Sequence, residues 1–127
     1  MANEKPTPKQ IAFLQNRGIA APPTKSSCRT LISFIVEGNG TAGATAAERI
    51  RIVIACQQRW LGQTIECPDG QGRVLYLFAK PKADTQALAA HFESQGREVF
   101  IGPFCALVEL DSGKRRQHSL GVLKPIA

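Results

Sequence analysis

The sequence has no long apolar run and no apolar segment near its start. A membrane-spanning helix needs about 18 or more consecutive apolar residues, and no stretch of this chain approaches that length. The first residues, Met-Ala-Asn-Glu-Lys, lack the apolar region of a secretory signal peptide. We therefore expect a cytoplasmic protein with no membrane partner.

Closely spaced cysteines are also absent. None of the four forms a C-x-x-C pair, and neither histidine, His91 or His118, lies near one in sequence. The cysteines are Cys28, Cys56, Cys67 and Cys105. Structural zinc sites use closely spaced ligands, so we expect no metal and no other cofactor. Reduced, mostly buried thiols are expected, because free cysteine packs like a small hydrophobic residue.

Groups suited to catalysis are few. Four acidic residues could take part: Asp69, Asp84, Glu66 and Glu109. The two aspartates lie at predicted turn or cap positions, which explains them without catalysis. His118, Ser119 and the nearby Asp111 superficially look like a triad, but neighbouring strand residues point to opposite faces. We expect no enzymatic activity; a cysteine nucleophile paired with a histidine is an alternative that no flanking pattern supports.

Acidic residues are fewer than basic ones. Sixteen lysines and arginines against ten aspartates and glutamates give a formal net charge of +6. This balance favours nucleic acid or an acidic protein as partner, although basic charge also serves solubility. With 127 residues and 43% hydrophobic content, the chain can fold as one compact domain, or as two very small ones sharing a core. It needs no disulfide bond or bound metal to do so.

The caps and apolar periodicity predict a disordered tail at 1–6 and a helical region at 7–61. Thr7 can cap a first helix, with Pro8 at its first position and Gln10 completing a capping box. Gly18 can end that helix in a left-handed turn, after which Ile19 folds back onto its apolar face.

Two further helices are predicted in the same region. Thr24 can cap the second, and Gly38 can end it. The apolar stripe of that helix consists of Cys28, Leu31, Ile32 and Ile35. A second capping box begins at Thr45 and starts the third helix, in which the lone tryptophan, Trp60, is expected to anchor the core.

Part of this helical region resembles a known segment. The residues that carry the likeness are TPKQIAFL from Thr7, then Gly18-Ile19, Pro23-Thr24-Lys25 and Leu31-Ile32. They resemble the short T-x-K-Q-x-x-x-L…G…P-x-T…L-I helical segment attached to bacterial and phage DNA-processing proteins. They are also loosely similar to the SAP helix–loop–helix module, which binds DNA. The likeness covers about a quarter of the chain and implies a DNA contact without a catalytic residue.

Residues 62–127 are predicted to form a small β-rich region. Runs at 63–67 and 73–80, joined by a Pro-Asp-Gly-Gln-Gly turn, indicate a hairpin whose second strand is apolar on both faces and hence central. A helix is expected from Asp84 to Gly96, then strands at 99–101, 104–110 and 117–123, the last two joined by a turn at 111–113. The predicted class is α+β: N-terminal helices and a five-stranded antiparallel sheet resembling an SH3-like or KOW-like barrel with one inserted helix.

Basic side chains occur in two stretches of the sequence. One is the predicted hairpin tip with Lys114, Arg115 and Arg116, followed by His118. The other is the N-terminal segment with Lys9, Arg17, Lys25 and Arg29. A basic hairpin tip can reach phosphates, although a solvated turn that keeps an edge strand soluble explains it as well. Because two stretches share this character, we predict that these eight residues bind nucleic acid.

These observations favour a small non-enzymatic protein that binds nucleic acid, DNA rather than RNA, mostly through phosphates. That hypothesis requires the two basic stretches to converge into one surface. The alternative is a phage- or plasmid-encoded interaction protein or inhibitor, which uses the same surface on a nucleic-acid-processing partner.

Overall fold

The structure, a computed structural model, describes residues 4–37, 45–80 and 104–126. Within these residues it has three helices, α1 (Pro8–Gln15), α2 (Lys25–Glu37) and α3 (Ala46–Trp60). Five strands follow: β1 (Thr64–Cys67), β2 (Gly70–Ala79), β3 (Phe104–Leu110), β4 (Arg115–Ser119) and β5 (Lys124–Pro125). A short 3-10 helix, Leu120–Val122, separates the last two strands. The predicted α+β class is confirmed.

Helix α1 begins with the predicted capping box and ends at the predicted glycine turn. Thr7 Oγ1 accepts the Gln10 N–H at 3.2 Å, and Gln10 Oε1 accepts the Thr7 N–H at 3.0 Å. Gly18 has a φ of +77°, which L side chains rarely adopt. The Ile19 N–H then donates to the Leu14 carbonyl at 3.0 Å, and Ile19 turns back into the core.

Helices α2 and α3 also begin at the predicted caps. Thr24 Oγ1 accepts the Ser27 N–H at 3.2 Å, and Thr45 Oγ1 accepts the Glu48 N–H at 3.2 Å. These hydroxyls satisfy N–H groups that have no partner within the helix. Gly38, the predicted end of α2, lies outside the described residues.

The strands form one antiparallel sheet in the order β4-β3-β2-β1-β5, so β2 is central as predicted. The first hairpin is tighter than expected, because Cys67 already pairs with Gly70. Gly72 was predicted in the turn but lies in β2, opposite Leu110. Here β2 and β3 approach so closely that a Cβ on Gly72 would lie 2.5 Å from the Glu109 carbonyl oxygen.

The C-terminal strands differ in part from the prediction. The strand Phe104–Leu110 and the turn at 111–113 are confirmed. The predicted strand at 117–123 is instead split: β4 ends at Ser119, the 3-10 helix redirects the chain, and β5 pairs with β1 at the other edge of the sheet. The predicted helix from Asp84 to Gly96 and the strand at 99–101 lie outside the described residues.

The sheet is not closed, so the predicted SH3-like barrel is not confirmed; β4 and β5 are its two edges. One face of the sheet, here called the inner face, carries its buried side chains. The opposite face is called the outer face. Alternate residues of β3 show the division, because every second side chain from Phe104 to Leu110 is buried.

Two clusters of buried side chains form the core. In the first, α1, α2 and α3 pack on the end of the sheet where Ala79 of β2 faces Phe104 of β3. There the rings of Phe34 and Phe104 meet edge to face with centroids 4.8 Å apart. The second cluster fills the inner face further along, and Trp60 belongs to it at 8% exposure. The expectation that this tryptophan anchors the core is confirmed.

Candidate nucleic-acid interface

The turn between β3 and β4 positions the predicted basic hairpin. The Leu110 N–H donates to the Lys114 carbonyl at 2.8 Å, and the Gly113 N–H donates to the Leu110 carbonyl at 2.8 Å. The turn is also attached to the central strand, because the Asp111 N–H donates to the Gln71 carbonyl at 3.0 Å. Lys114 is thus exposed at one end of the sheet on a backbone with defined hydrogen bonds.

The three basic residues of the hairpin do not form one tip. Lys114 lies in the turn, but Arg115 and Arg116 already belong to β4. Arg115 faces Glu109 on the outer face, whereas Arg116 faces the buried Val108 on the inner side. Neighbouring strand residues point to opposite faces, so these two guanidinium groups diverge. The prediction of a single basic tip is corrected accordingly.

The hairpin charges differ in their partners. Arg115 Nε lies 3.3 Å from Glu109 Oε2, in an ion pair whose side chains are 62% and 44% exposed. Arg116 Nη1 donates to the Arg115 carbonyl at 2.9 Å. Over residues 4–37, 45–80 and 104–126, no carboxylate lies within ion-pair distance of Lys114 or Arg116. Two of the three cations therefore have no close acid among the described residues.

His118 contacts a carboxylate of another hairpin. Its Nε2 lies 2.7 Å from Asp69 Oδ2, and its side chain is only 14% exposed. Asp69 belongs to the β1–β2 turn, and β2 and β3 separate β1 from β4 in the sheet. This contact therefore requires a sheet that curls across its inner face. The two residues are 49 positions apart, so no local pattern could have found the pair.

The N-terminal basic residues are exposed on or next to α1 and α2, and two of them have partners. Arg17 Nη1 donates to the Phe13 carbonyl at 2.8 Å, and its guanidinium lies 3.6 Å from the Phe13 ring centroid. Lys25 Nζ lies 3.5 Å from Glu4 Oε2, and the Lys25 N–H donates to the Glu4 carbonyl at 2.7 Å. Part of the predicted tail is therefore in contact with α2.

The second helix presents a small polar depression beside this ion pair. Lys25, Ser26 and Arg29 line it together with Glu4, around a cavity of about 270 Å³. Lys9 lies on the neighbouring helix α1 and is exposed. Lys25 and Arg29 thus adjoin a carboxylate, which lowers the local positive potential.

The structure places the two basic groups toward opposite ends of the sheet. Every buried hydrophobic residue of α2 belongs to the core cluster that contains Ala79 and Phe104. The basic hairpin lies beyond Leu110, at the other end of β3. With a rise of about 3.3 Å per residue, the strand from Phe104 to Leu110 spans about 20 Å. The two basic stretches therefore do not converge into the one surface that the hypothesis required, and a nucleic acid that uses both has to be long enough to reach from one end of the sheet to the other.

One basic residue near the hairpin was not predicted. Arg73 of β2 is exposed and pairs in register with Glu109, which in turn pairs with Arg115. The outer face therefore carries the row Arg73, Glu109 and Arg115 across three strands. Sequence reasoning missed Arg73 because only the strand register brings it beside the hairpin.

The groups considered for catalysis have other surroundings. The four cysteines are free thiols, and burial raises the pKa of Cys28, Cys56 and Cys105. Arg59 and Lys80 oppose that rise at the last two by a smaller amount.

The histidine and serine of the apparent triad point apart. Ser119 Oγ accepts a hydrogen bond from Lys80 Nζ at 2.8 Å, whereas His118 faces Asp69. In the part of the chain that the structure describes, no three metal-binding side chains come together. His91 and Asp84 lie outside that part.

None of the described helices is both long and apolar enough to cross a membrane. Comparisons with protein-family models, with curated proteins and with solved structures gave no match to this chain.

Proposed function

We propose that this chain is a non-enzymatic protein that binds nucleic acid, DNA rather than RNA, through contacts to phosphates. The observation that carries the proposal is the hairpin at residues 114–116, where Lys114 and Arg116 are exposed without a close carboxylate among the described residues. Phosphate contacts are the larger part of most protein–DNA hydrogen bonding, and Arg and Lys supply them. The choice of DNA rests on the resemblance of the N-terminal segment.

The helix residues form a second contact in this proposal. Lys9, Arg17, Lys25 and Arg29 reach phosphates at the other end of the sheet, and a long polyanion touches both ends. His118 acts indirectly, because its contact with Asp69 holds β4 in place. Binding is largely independent of sequence, since phosphates are the same at every step of the duplex.

Salt dependence measures the number of phosphates that are contacted. If about six are neutralised, the logarithm of the binding constant falls with the logarithm of salt at a slope of about −5 on duplex DNA. Arg115 and Arg116 point to opposite faces, so one backbone meets two of the three hairpin cations. Replacing all three by alanine is therefore expected to reduce the slope by about 1.8 and to weaken binding on every sequence alike.

A variant with the same loss of charge is the control. Lys5, Arg51 and Lys124 are exposed and lie outside the proposed contacts. Their replacement by alanine lowers the net charge equally but leaves both contacts, so a smaller change in slope is expected. Fluorescence anisotropy with a labelled duplex at several salt concentrations measures both variants. Equal slopes for the hairpin variant and the unmodified protein would remove the hairpin from the proposal.

The second candidate is the phage- or plasmid-encoded interaction protein or inhibitor. Large apolar side chains that are exposed favour it: Val36 at 63%, Val122 at 43% and Ile126 at 41%. Capture from lysate before and after nuclease treatment separates the two functions. A stoichiometric protein partner that survives nuclease and is lost in a Val36→Asp variant supports this candidate, whereas loss of all captured material on nuclease treatment supports nucleic-acid binding.

A further inference from the structure

The outer face of the sheet carries an aromatic pair beside its row of charges. Tyr76 and Phe78 both project from the central strand β2 to this face. Their ring centroids are 6.3 Å apart and their planes are inclined by 53°. A bulge between Val74 and Tyr76 shifts the register of β2 against β3. Tyr76 and Phe78 are two residues apart, so strand alternation puts both rings on one face, and the bulge makes this the face of Arg73 rather than that of the buried Val74.

Strand register surrounds the aromatic pair with defined neighbours. Tyr76 aligns with Leu107 and Gln117, and the row of Arg73, Glu109 and Arg115 lies next to it towards the hairpin. The exposed amide of Gln117 and the two guanidinium groups are hydrogen-bond donors beside two apolar rings.

The two rings are not required by either core cluster. Both are half-buried, and within residues 4–37, 45–80 and 104–126 neither is among the side chains that pack against the two core clusters. Each ring keeps part of its surface accessible, and a ligand can contact that part. The outer face therefore offers two inclined aromatic rings with positive charge at one side.

Such a surface matches the chemistry of unpaired bases. Every base has a π-face that stacks on an aromatic ring, and the backbone beside it needs cationic partners. In a duplex the bases are stacked about 3.4 Å apart along the axis and are enclosed by the backbones. The rings are 6.3 Å apart, nearly twice that spacing, so they suit two bases of an extended strand. Duplex DNA can use the hairpin charges but cannot place bases on these rings.

We propose that the outer face binds single-stranded DNA, with two successive bases stacked on Tyr76 and Phe78 and the adjoining phosphates at Arg73 and Arg115. This deepens the proposed function, because it rests on nucleic-acid binding and assigns the strandedness of the ligand. Phosphates at Arg115 compete with Glu109 for its guanidinium, so the exposed ion pair opens when DNA binds. Stacking is tolerant of sequence, and the preference is for flexible pyrimidine runs.

The test compares two probes of equal length, a labelled 12-nucleotide oligo(dT) and a 12-base-pair duplex. The variant Tyr76→Leu with Phe78→Leu keeps apolar bulk on the sheet but removes both π-faces. It is expected to weaken oligo(dT) binding by about 20-fold or more, since each stacked base contributes roughly 5- to 100-fold. Binding of the duplex stays unchanged. Tyr76→Phe, which keeps the ring, is the matched control and binds oligo(dT) as the unmodified protein does.

A cross-linking experiment on the unmodified protein covers the case in which the leucine variant does not fold. Irradiated oligonucleotide with 5-iodouracil is expected to attach to the peptide that contains Tyr76 and Phe78. Attachment confined to other peptides, or oligo(dT) affinity that the leucine variant leaves unchanged, overturns the single-strand site. In either case duplex binding by the hairpin still tests the proposed function separately. If neither probe binds the unmodified protein, both proposals fail.

Discussion

The approach of β2 to β3 at Gly72 gives a sharp test of the register on which the outer face depends. A methyl group on Gly72 would lie 2.5 Å from the Glu109 carbonyl oxygen and 2.8 Å from Val108 Cγ1. The carbonyl belongs to the backbone of the neighbouring strand, so it cannot rotate away as a side chain can. Gly72→Ala therefore has to separate two paired strands or distort the hydrogen bonds between them. We expect the free energy of unfolding to fall by about 3 kcal/mol, the upper part of the range for overpacked sites.

Two other glycines provide matched controls for this substitution. Gly113 has open space around it but a φ of +88°, so Gly113→Ala carries conformational strain alone, about 1 kcal/mol. Gly121 has neither a close neighbour nor a positive φ, and Gly121→Ala is expected to change stability by less than about 1 kcal/mol in either direction. The three variants separate steric conflict from backbone strain.

Urea unfolding followed by circular dichroism measures the three free energies, and a melting curve checks them. For a chain of this size, about 3 kcal/mol corresponds to a lowering of Tm by roughly 10 °C. If Gly72→Ala unfolds like Gly121→Ala, the two strands are not in close contact there. The row of Arg73, Glu109 and Arg115 would then lose its basis, since it depends on the same pairing.

Two further predictions concern the polar and titratable groups. His118→Ala and Asp69→Ala each remove the 2.7 Å contact between His118 Nε2 and Asp69 Oδ2. A double-mutant cycle on the free energy of unfolding is expected to give a coupling of about 0.5–1.5 kcal/mol. Additive effects would show that the contact does not stabilise the curled sheet. Burial raises the pKa of Cys28, Cys56 and Cys105 above the ordinary value of 9.0, so the unfolded chain loses these protons first and stability falls as pH rises above about 9. Urea unfolding at pH 7.5 and pH 10 measures the free energy of unfolding at each pH. The decrease between the two pH values is expected to be larger for the unmodified protein than for a variant with these three thiols replaced by alanine. Equal decreases would show that these thiols do not cause the pH dependence.

The helices were predictable because their signals are local. The side chains of Thr7, Thr24 and Thr45 each accept the N–H three residues later. A hydroxyl residue followed by a helical apolar pattern predicts such a helix start from the sequence. Gly18 ends α1 with a positive φ as its position suggested. These features depend on neighbours a few residues away, so sequence spacing contains the information.

The sheet was predictable only in part, because pairing is not local. The β3 strand is a nearly continuous apolar run that ends at a turn, and its limits were found without error. The run at 117–123 has the same β-prone composition, yet the chain changes direction at Leu120–Val122 and Lys124 pairs with Glu66 of β1 instead. Composition does not reveal which edge of a sheet a strand joins.

The candidate site shows the same division between local and distant information. A run of three basic residues is visible in any sequence, but strand alternation directs Arg115 and Arg116 to opposite faces. The partners Arg73 and Asp69 come from another hairpin and required the register. The aromatic pair on β2 was identified only as apolar alternation, and the bulge that places the two rings on the face of Arg73 rather than that of Val74 has no sequence signature.

The distance between the basic groups bears on the choice between the two candidate partners. About 20 Å of strand separates the hairpin end from the helix end, which corresponds to roughly six base-pair steps at 3.4 Å per step. A polynucleotide carries its charge continuously over that length, so a single molecule can meet cations at both ends at once. An acidic protein surface would need two acidic patches at the same spacing. Cations at both ends of the sheet therefore fit an extended polyanion, and this is the reason for preferring nucleic acid.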